Sequence, residues 1–315
     1  MRAWRYAAFG PINSALRLED IRVPQPGAHD VLVRTEFVGI NPLDWKLVEG
    51  QFRWLAKSRP PCGVASEFAG EIATVGTKVE RFRPGQRVAC WLNPFSEPPR
   101  ALAEQVAVPA AQCVRVPDGI ALEQAAVTPV AGLSALRLAD MIEAKQDQRV
   151  LVHGAAGGVG SFVVPILRDR GAFVVVTGSA RSQSYLRQLQ PDAQVDYANP
   201  AASWPGPFDA IIDCAARLDP RAWPVLLPHG GTVAVTLPSF PGVLTDPLLN
   251  PFRRIRRRTL RLEPNAAQLE QLFALITEGR VSMPLTRRLR FDDAVAALAE
   301  SRGGSVRGKL AVAVD

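Results

Sequence analysis

Cysteine and histidine are scarce in this chain of 315 residues. It holds four cysteines and three histidines. The cysteines are widely spaced and form no CxxC pair, which argues against a disulfide framework and against a thiolate zinc site. We expect free, buried thiols at Cys62, Cys90, Cys113 and Cys214.

Long apolar runs are also missing from the sequence. No uninterrupted apolar stretch reaches membrane-spanning length, and the first ten residues carry Arg2, Trp4 and Arg5 in place of a hydrophobic signal region. The length exceeds one ordinary core, and 47% hydrophobic residues can bury two domains. These features predict a globular cytoplasmic enzyme without membrane contact.

The positive charge is concentrated in one short segment. The net charge is +7, and six arginines lie between residues 253 and 261. Such a cluster could attract RNA or an anionic lipid. Phe252 is the one aromatic residue among them, whereas proteins that bind single strands stack bases on several rings. We therefore favour an arginine-rich edge or a subunit contact, and expect no nucleic-acid partner.

A glycine-rich segment is the most informative motif. Residues 150–152 are the apolar residues Val, Leu and Val. They are followed by the segment His153-Gly154-Ala155-Ala156-Gly157-Gly158-Val159-Gly160. A strand, a glycine turn and a helix start are the layout that holds a dinucleotide pyrophosphate. Gly154 and Gly157 permit a tight turn and a close approach to phosphate, and Gly160 permits close packing of helix and strand.

The next strand bears on the choice of nicotinamide cofactor. An Asp or Glu about 20 residues beyond the glycines would bind the adenosine ribose hydroxyls and disfavour a phosphate there. The segment that follows residues 172–177 has no acid and offers Ser179 and Arg181 instead. Hydroxyl and guanidinium groups suit a 2′-phosphate, so the sequence predicts NADPH. A solvated Arg181 and a helix-capping Ser179 remain the alternative.

The pattern of elements changes near residue 120. Short strands broken by Pro and Gly fill the first part, which predicts a β-barrel-like domain. Helices then alternate with apolar strands, as in a doubly wound parallel sheet. We predict a nucleotide-binding Rossmann domain at 121–261 and a second domain formed by 1–120 together with 262–315.

Several ordered blocks resemble one family. Asn41-Pro42-Leu43-Asp44-Trp45-Lys46 is similar to its N-P-x-D-W-K element, and Ser66–Glu71 is similar to its G-x-E-x-A-G strand. Residues 84–88, 103–106, 131–135 and 307–309 resemble its G-D-R-V, A-E-Y, A-G-L-T-A and R-G-K blocks. Over nearly its whole length the chain resembles the zinc-independent quinone oxidoreductases of the medium-chain dehydrogenase/reductase superfamily. The resemblance implies a GroES-like β-barrel catalytic domain beside the Rossmann domain.

The resemblance also implies a reaction without a metal. The zinc-dependent relatives place a Cys and a His where this chain has Asn41 and Ser66. Catalytic zinc needs three good ligands and an open position, so no metal is expected. Reduction of a conjugated carbonyl needs a placed hydride and a donor for the charge that develops on oxygen. We therefore expect an NADPH-dependent, metal-free reductase of quinones or α,β-unsaturated carbonyls.

The predicted catalytic residues are Asn41, Asp44 and Lys46, with Asn41 first because its amide both donates and accepts. A turn-capping Asn41, and an exposed, merely decorative Asp44–Lys46 pair, remain the alternatives. A tyrosine of some family members has no counterpart in residues 50–54, so water is a possible proton source. Aromatic residues predicted to line the substrate pocket, or alternatively to pack in the core, are Phe52, Trp54 and Trp91.

The predicted cofactor contacts combine the motif with the resemblance. Thr236 and Leu237 end a strand at the carboxyl edge of the sheet, where doubly wound folds bind ligands. Thr128, Tyr197 and Arg302 are implied by the resemblance alone. The full predicted set is Asn41, Thr128, Ala156, Gly157, Gly158, Val159, Ser179, Arg181, Tyr197, Thr236 and Arg302.

Other functions and assemblies stay open at this stage. The first alternative is a double-bond reductase acting on enones or enoyl thioesters, and the second is a non-catalytic NADPH- or RNA-binding protein. A homodimer is expected because the edge strands of a sheet must be paired or protected. Residues 231–261 are short compared with the family's usual segment, which leaves the usual dimer edge in doubt.

Overall fold

The computed structural model describes residues 1–57, 59–236, 245–246, 248–261 and 263–314. It divides the chain into two compact units. Unit 1 comprises Met1–Val130, Glu263–Thr277 and Leu285–Asp315, and unit 2 comprises Ala131–Leu262 and Glu278–Pro284. The domain limits given above from the sequence stay a prediction.

Unit 1 consists mainly of antiparallel strands. They are β1 (Arg2–Tyr6), β2 (Leu16–Asp20), β3 (Asp30–Ile40), β4 (Cys62–Gly63), β5 (Glu67–Val75), β6 (Arg87–Trp91), β7 (Gln105–Pro109), β8 (Cys113–Arg115), β15 (Leu285–Arg290) and β16 (Lys309–Ala313). One sheet has the order β2-β1-β4, and a larger one has the order β15-β16-β3-β5-β6-β8, with β7 also paired to β3. Only β15 and β16 are parallel among these pairs of described strands. Apolar side chains from both sheets share one core.

Unit 2 is built on a parallel sheet. Its strands are β9 (Arg149–His153), β10 (Phe173–Gly178), β11 (Ala193–Asp196), β12 (Ala210–Asp213), β13 (Thr232–Val235) and β14 (Arg256–Thr259). They lie in the order β11-β10-β9-β12-β13-β14, and each neighbouring pair is parallel. The strand order reverses between β9 and β12, which is where doubly wound sheets bind their ligands. Short apolar strands of this kind require cover on both faces.

The described helices are short to medium in length. They are α1 (Ile12–Ala15), α2 (Pro42–Val48), α3 (Leu122–Ala126), α4 (Pro129–Met141), α5 (Gly158–Asp169), α6 (Gln183–Gln188), α7 (Trp223–Leu226), α8 (Ala266–Thr277) and α9 (Ala294–Gly303). No helix within the described ranges is long and apolar enough to cross a membrane. The observed architecture is the mixed α/β fold expected from the sequence.

The four cysteines are free, and three of them are buried. Cys90 and Cys113 face each other across β6 and β8 with their Sγ atoms 3.0 Å apart. Burial raises the pKa of the Cys90 thiol well above its usual value. The expectation of free thiols is confirmed, while Cys214 is only partly buried.

The arginine cluster of unit 2 lies in and around the edge strand β14. Arg253 Nη1 donates to Asp246 Oδ1 at 2.7 Å, and Arg258 Nη1 donates to the Met141 carbonyl at 2.6 Å. Arg256 Nη2 donates to the Gly230 carbonyl at 2.9 Å. Much of the cluster is therefore engaged within unit 2, which agrees with a structural edge.

Close backbone contact between β3 and β5 makes Gly70 a sensitive position. A Cβ there would lie 2.0 Å from the Arg34 carbonyl oxygen. We predict that Gly70→Ala lowers the free energy of unfolding by about 3 kcal/mol, because the strands must separate to admit the methyl group. Urea denaturation measures the change. Gly303→Ala is the control, since no heavy atom lies within 4 Å of its added Cβ; an equal loss in both variants would contradict the explanation.

Candidate active site

The glycine turn of unit 2 has two positions closed to side chains and one that is open. Gly154 adopts a φ of +78°, and a Cβ there would lie 2.9 Å from the Ala215 Cβ. A Cβ on Gly160 would lie 2.5 Å from the Ala155 Cα. At Gly157 the nearest heavy atom to an added Cβ is 3.6 Å away. The first two glycines are thus required by packing, whereas Gly157 leaves space beside the turn.

That space lies at the start of a 12-residue helix. Gly157 is the N-cap of α5, whose first backbone N–H groups have no partner within the helix. Ala156, Gly158 and Val159 are each only half-buried. Unpaired N–H groups, the positive end of the helix dipole and a missing side chain together fit an anionic pyrophosphate.

The residues predicted to bind the adenosine phosphate follow the ends of β10 and β11. Ser179 begins a single 3₁₀ turn, and its N–H donates to Ser182 Oγ at 3.0 Å. Arg181 is exposed and has no hydrogen bond or ion pair to any described residue. Tyr197 is likewise exposed, with its backbone N–H bound to the Gly178 carbonyl. Asp196 pairs with Gly178 in the sheet, and its Oδ1 accepts the Ala198 N–H.

Two other strand ends of unit 2 carry polar side chains. His153 Nδ1 lies 2.8 Å from Thr177 Oγ1, and burial lowers the pKa of this histidine. Thr236 follows β13 and donates from Oγ1 to the Cys214 carbonyl at 2.9 Å. Leu237 lies outside the described residues.

Unit 1 contains a buried polar network around Asn41. Asn41 Nδ2 donates to Glu67 Oε1 at 2.8 Å, and Lys309 Nζ donates to the same carboxylate oxygen at 2.7 Å. The ammonium also donates to Asn41 Oδ1 at 2.6 Å and to the Ile40 carbonyl at 2.9 Å. Glu67 Oε2 accepts the Val130 N–H at 2.7 Å. Asn41, Glu67 and Lys309 are all buried.

Asp44 adjoins this network from the first turn of α2. Its Oδ2 accepts the backbone N–H of Asn41 at 2.7 Å, and Ser66 Oγ lies 3.5 Å from its Oδ1. Burial raises the pKa of Asp44 from 3.8 to about 7, despite the opposing effects of the Asn41 N–H and of Lys309. Asp44 is only 1% exposed, so the alternative of a decorative surface carboxylate is wrong.

The remaining predicted residues of α2 and the pocket lie in varied surroundings. The ammonium of Lys46 lies 5.4 Å from the Trp45 ring centre. Phe52 contacts Phe95 edge to face at 6.1 Å, whereas Trp54 is 83% exposed under the Arg53 guanidinium. Trp91 is buried and faces Glu67 across β5 and β6. The three predicted pocket aromatics thus differ widely in their accessibility.

Two residues that the family resemblance assigned to the cofactor lie in unit 1. Thr128 is fully buried, and its Oγ1 donates to the Gln124 carbonyl at 2.8 Å. Arg302 Nε lies 2.9 Å from Glu49 Oε1. Both Arg302 and Glu49 line a cavity of about 440 Å³ together with Trp45.

Sequence reasoning did not single out Glu67 and Lys309 as site residues. Each is a charge that begins a strand and is followed directly by apolar residues, in Glu67-Phe68-Ala69 and Lys309-Leu310-Ala311. Buried charges require partners, so two charges of opposite sign that directly precede apolar residues are the available signal. Pairing them also requires knowing that β16 and β5 both neighbour β3.

Comparison with known proteins places this geometry in a family. The alcohol dehydrogenase GroES-like domain matches residues 27–118, and the zinc-binding dehydrogenase family matches residues 189–312. The chloroplastic quinone-oxidoreductase QR1 of Triphysaria versicolor is 29% identical over 99% of this chain and 98% of its own length. The quinone oxidoreductase of Coxiella burnetii superposes with a TM-score of 0.90 at 26% identity, covering 100% and 99% of the two chains.

The chain belongs to the medium-chain dehydrogenase/reductase superfamily and is quinone-oxidoreductase-like. It is an oxidoreductase of this type, and the family uses a nicotinamide cofactor. A second relative, the trans-enoyl reductase pgmF of Aspergillus terreus, is 27% identical over 100% of this chain and 96% of its own. The NADPH-complexed Escherichia coli quinone oxidoreductase shares the fold, with a TM-score of 0.83 at 19% identity over 99% and 100% of the chains.

The name of the second matched family raises the question of zinc. Among the described residues, no group of three or more His, Cys, Asp or Glu side chains is placed to hold a metal ion. Around Asn41, the accepting oxygens of Asn41 and Glu67 already bind the Lys309 ammonium. Ser66 offers a hydroxyl directed at Asp44. This donor set does not fit catalytic zinc, which takes nitrogen, thiolate or free carboxylate ligands.

The raised pKa of Asp44 has a consequence for stability. The folded chain binds this proton more tightly than the unfolded chain, whose pKa stays near 3.8. The contribution of protonated Asp44 to the free energy of unfolding is therefore fully present below about pH 4. It amounts to about 4 kcal/mol at most and is lost as the pH rises to about 7.

We predict that Asp44→Asn removes this loss, because the amide stays neutral while its oxygen can still accept the Asn41 N–H. Urea denaturation from pH 4 to pH 8 measures the difference in slope. Asp118→Asn, at an exposed carboxylate, is the control and should retain the wild-type slope. Parallel curves for wild type and Asp44→Asn would contradict the assignment.

Proposed function

We propose that this protein is an NADPH-dependent reductase that transfers hydride to a quinone or an α,β-unsaturated carbonyl without a metal ion. The observation that carries the proposal is the donor set of unit 1. It holds a buried asparagine amide, one N–H of which has no acceptor among the described residues, in a setting that does not fit zinc. A hydrogen-bond donor can meet charge that develops on a carbonyl oxygen, whereas alcohol oxidation would lack its Lewis acid.

Unit 2 supports the choice of cofactor. The open side of Gly157 and the start of α5 fit a pyrophosphate, and the guanidinium of Arg181, which has no partner among the described residues, fits a 2′-phosphate. The Escherichia coli quinone oxidoreductase, which shares this fold, was solved with NADPH bound. When bound, the reduced nicotinamide supplies the hydride. Ser179 and Tyr197 are the further candidates for contacts at the adenosine end.

In unit 1, the amide of Asn41 donates a hydrogen bond to the substrate oxygen as charge develops there. Asp44 accepts the Asn41 backbone N–H and so fixes the start of α2. Lys46, next to Trp45, is a second candidate for a charge near the substrate. Residues 50–54 contain no phenol, so water completes the protonation.

Reduction of a carbon–carbon double bond in an enone or enoyl thioester is the second candidate. A relative named as a trans-enoyl reductase favours it, since that protein matches this chain over its full length. Both reactions place negative charge on a carbonyl oxygen and would use the same donor. The two candidates therefore differ only in the acceptor.

Assembly and location also remain predictions. Among the described strands, β14 is an edge of the unit 2 sheet, and we propose that two copies pair or protect it in a homodimer. We also propose a cytoplasmic location, although several relatives are named as chloroplastic.

A substrate panel tests the reaction. We predict that NADPH is oxidised in the presence of simple quinones or enones, and that NADP⁺ is not reduced in the presence of primary or secondary alcohols. Loss of absorbance at the reduced-nicotinamide band measures the oxidation of NADPH, and a gain at the same band would measure the reduction of NADP⁺ by an alcohol. Turnover with alcohols alone, or binding of NADPH without turnover of any acceptor, would overturn the proposal. Binding of RNA that disappears at high salt would instead favour a nucleic-acid role.

Charge reversal at Arg181 tests the cofactor. We predict that Arg181→Glu raises the KM for NADPH about 10- to 100-fold and changes that for NADH little, because only NADPH carries the 2′-phosphate. Steady-state kinetics with both cofactors measures the ratio. Arg187→Glu, at another exposed arginine of unit 2, is the matched control. Equal changes in the KM values for the two cofactors would contradict the assignment of Arg181 to the 2′-phosphate.

The open side of Gly157 provides a test common to both cofactors. We predict that Gly157→Ala weakens the binding of both NADPH and NADH, because the methyl group enters the space left for phosphate. The free energy of unfolding should change by about 1 kcal/mol or less, since the new Cβ meets no atom closer than 3.6 Å. Fluorescence titration and urea denaturation give the two quantities. Unchanged affinity for both cofactors would contradict the placement.

A further inference from the structure

Lys309 is a buried cation with a complete set of partners. Only 3% of the residue is exposed, and its ammonium donates to Ile40 O, Asn41 Oδ1 and Glu67 Oε1. An ammonium has three N–H donors and no acceptor, so these three bonds use its whole capacity. Lys309 therefore has no donor left for a substrate.

The same bonds favour one orientation of the Asn41 amide, as does the capping-box contact of its side chain with the backbone of Asp44. An asparagine side chain can be turned by 180° at almost no intrinsic cost, which exchanges its oxygen and nitrogen. A donor-only ammonium at 2.6 Å permits only the oxygen on that side. The nitrogen must then face Glu67, whose carboxylate oxygen accepts one of its two N–H groups.

The second N–H of Asn41 is the unused donor of this network. Among the described residues it has no acceptor, and Asn41 is 7% exposed while Glu67 is wholly buried. A substrate oxygen that approaches Asn41 would meet a donor. With the amide turned over, it would meet a carbonyl oxygen and be repelled.

We propose that Lys309 is a positioning residue that holds Asn41 in its donating orientation. The use of that donor in turnover rests on the function proposed above. The Lys309–Glu67 pair acts together in this role, since the ammonium selects the oxygen and the carboxylate selects the nitrogen. A purely structural ion pair, which only stabilises unit 1, is the competing explanation.

A double-mutant cycle separates the two explanations. Asn41→Ala should lower kcat about 100-fold, as does loss of one preorganised donor in other enzymes. Lys309→Met should lower kcat about tenfold or more while the NADPH dissociation constant stays unchanged. In the Asn41→Ala background, Lys309→Met should then have almost no further effect. Lys78→Met, at an exposed lysine, is the control and should retain wild-type kcat. Additive losses in the double variant would overturn the proposal.

A second measurement does not depend on turnover. Protein labelled with ¹⁵N at its six asparagines gives side-chain amide signals, and Asn41→Ala identifies the signal of Asn41. We expect slow solvent exchange of the Asn41 NH₂ protons in wild type and faster exchange in Lys309→Met. Unchanged exchange would overturn the proposal. If exchange of the Asn41 NH₂ protons depends on Lys309 but no acceptor is turned over, the positioning role is supported and the proposed reaction is contradicted.

Lys309→Met leaves Glu67 buried without its counter-charge and could prevent folding. The same measurements are then made on the single variant Glu67→Gln and on a double variant that carries Glu67→Gln and Lys309→Met. The double variant lacks both buried charges. Slower turnover and faster amide exchange in the double variant than in Glu67→Gln support the role of Lys309. Identical values in the two variants overturn it.

Discussion

The Lys309–Glu67 ion pair is the interaction on which the geometry of unit 1 depends. The two residues are 242 positions apart in sequence, and neither is exposed by more than a few per cent. Removal of charges from water is expensive, and the cost is offset only when hydrogen bonds satisfy both groups. Ile40, Asn41 and Val130 supply those bonds. The ends of β3, β5 and β16 are fixed relative to one another as a result.

The same network explains why several buried polar side chains lie together at one place in this sheet. Asn41 follows β3, Glu67 begins β5 and Lys309 begins β16, and both of those strands neighbour β3. Asp44 joins because α2 begins directly after Asn41 and its carboxyl group turns back to the Asn41 N–H. Local sequence thus brings two of these residues together, and sheet topology brings the other two.

That division also describes what could be predicted from the sequence. The glycine turn, its flanking strands and the two kinds of sheet were predictable, because each depends on residues close together in the chain. Glu67 and Lys309 could not be predicted as site residues because their pairing depends on the register of strands far apart in sequence. The burial of Asp44 was missed for a related reason, since short helical segments with an Asp and a Lys commonly face solvent. Trp91 could not be placed without knowing that it faces Glu67 within the sheet.

The two units respond differently to sequence change. Arg181 stands on a single exposed 3₁₀ turn, and its side chain has no hydrogen bond or ion pair to any residue that the structure describes. A substitution there costs little stability, so if Arg181 contacts a 2′-phosphate as proposed, discrimination between phosphorylated and unphosphorylated dinucleotides can change without loss of the fold. Exchange of Lys309 disturbs several strands at once and needs a simultaneous compensating change. Descendants of this chain should therefore diversify in cofactor preference long before they alter the buried charges of the barrel.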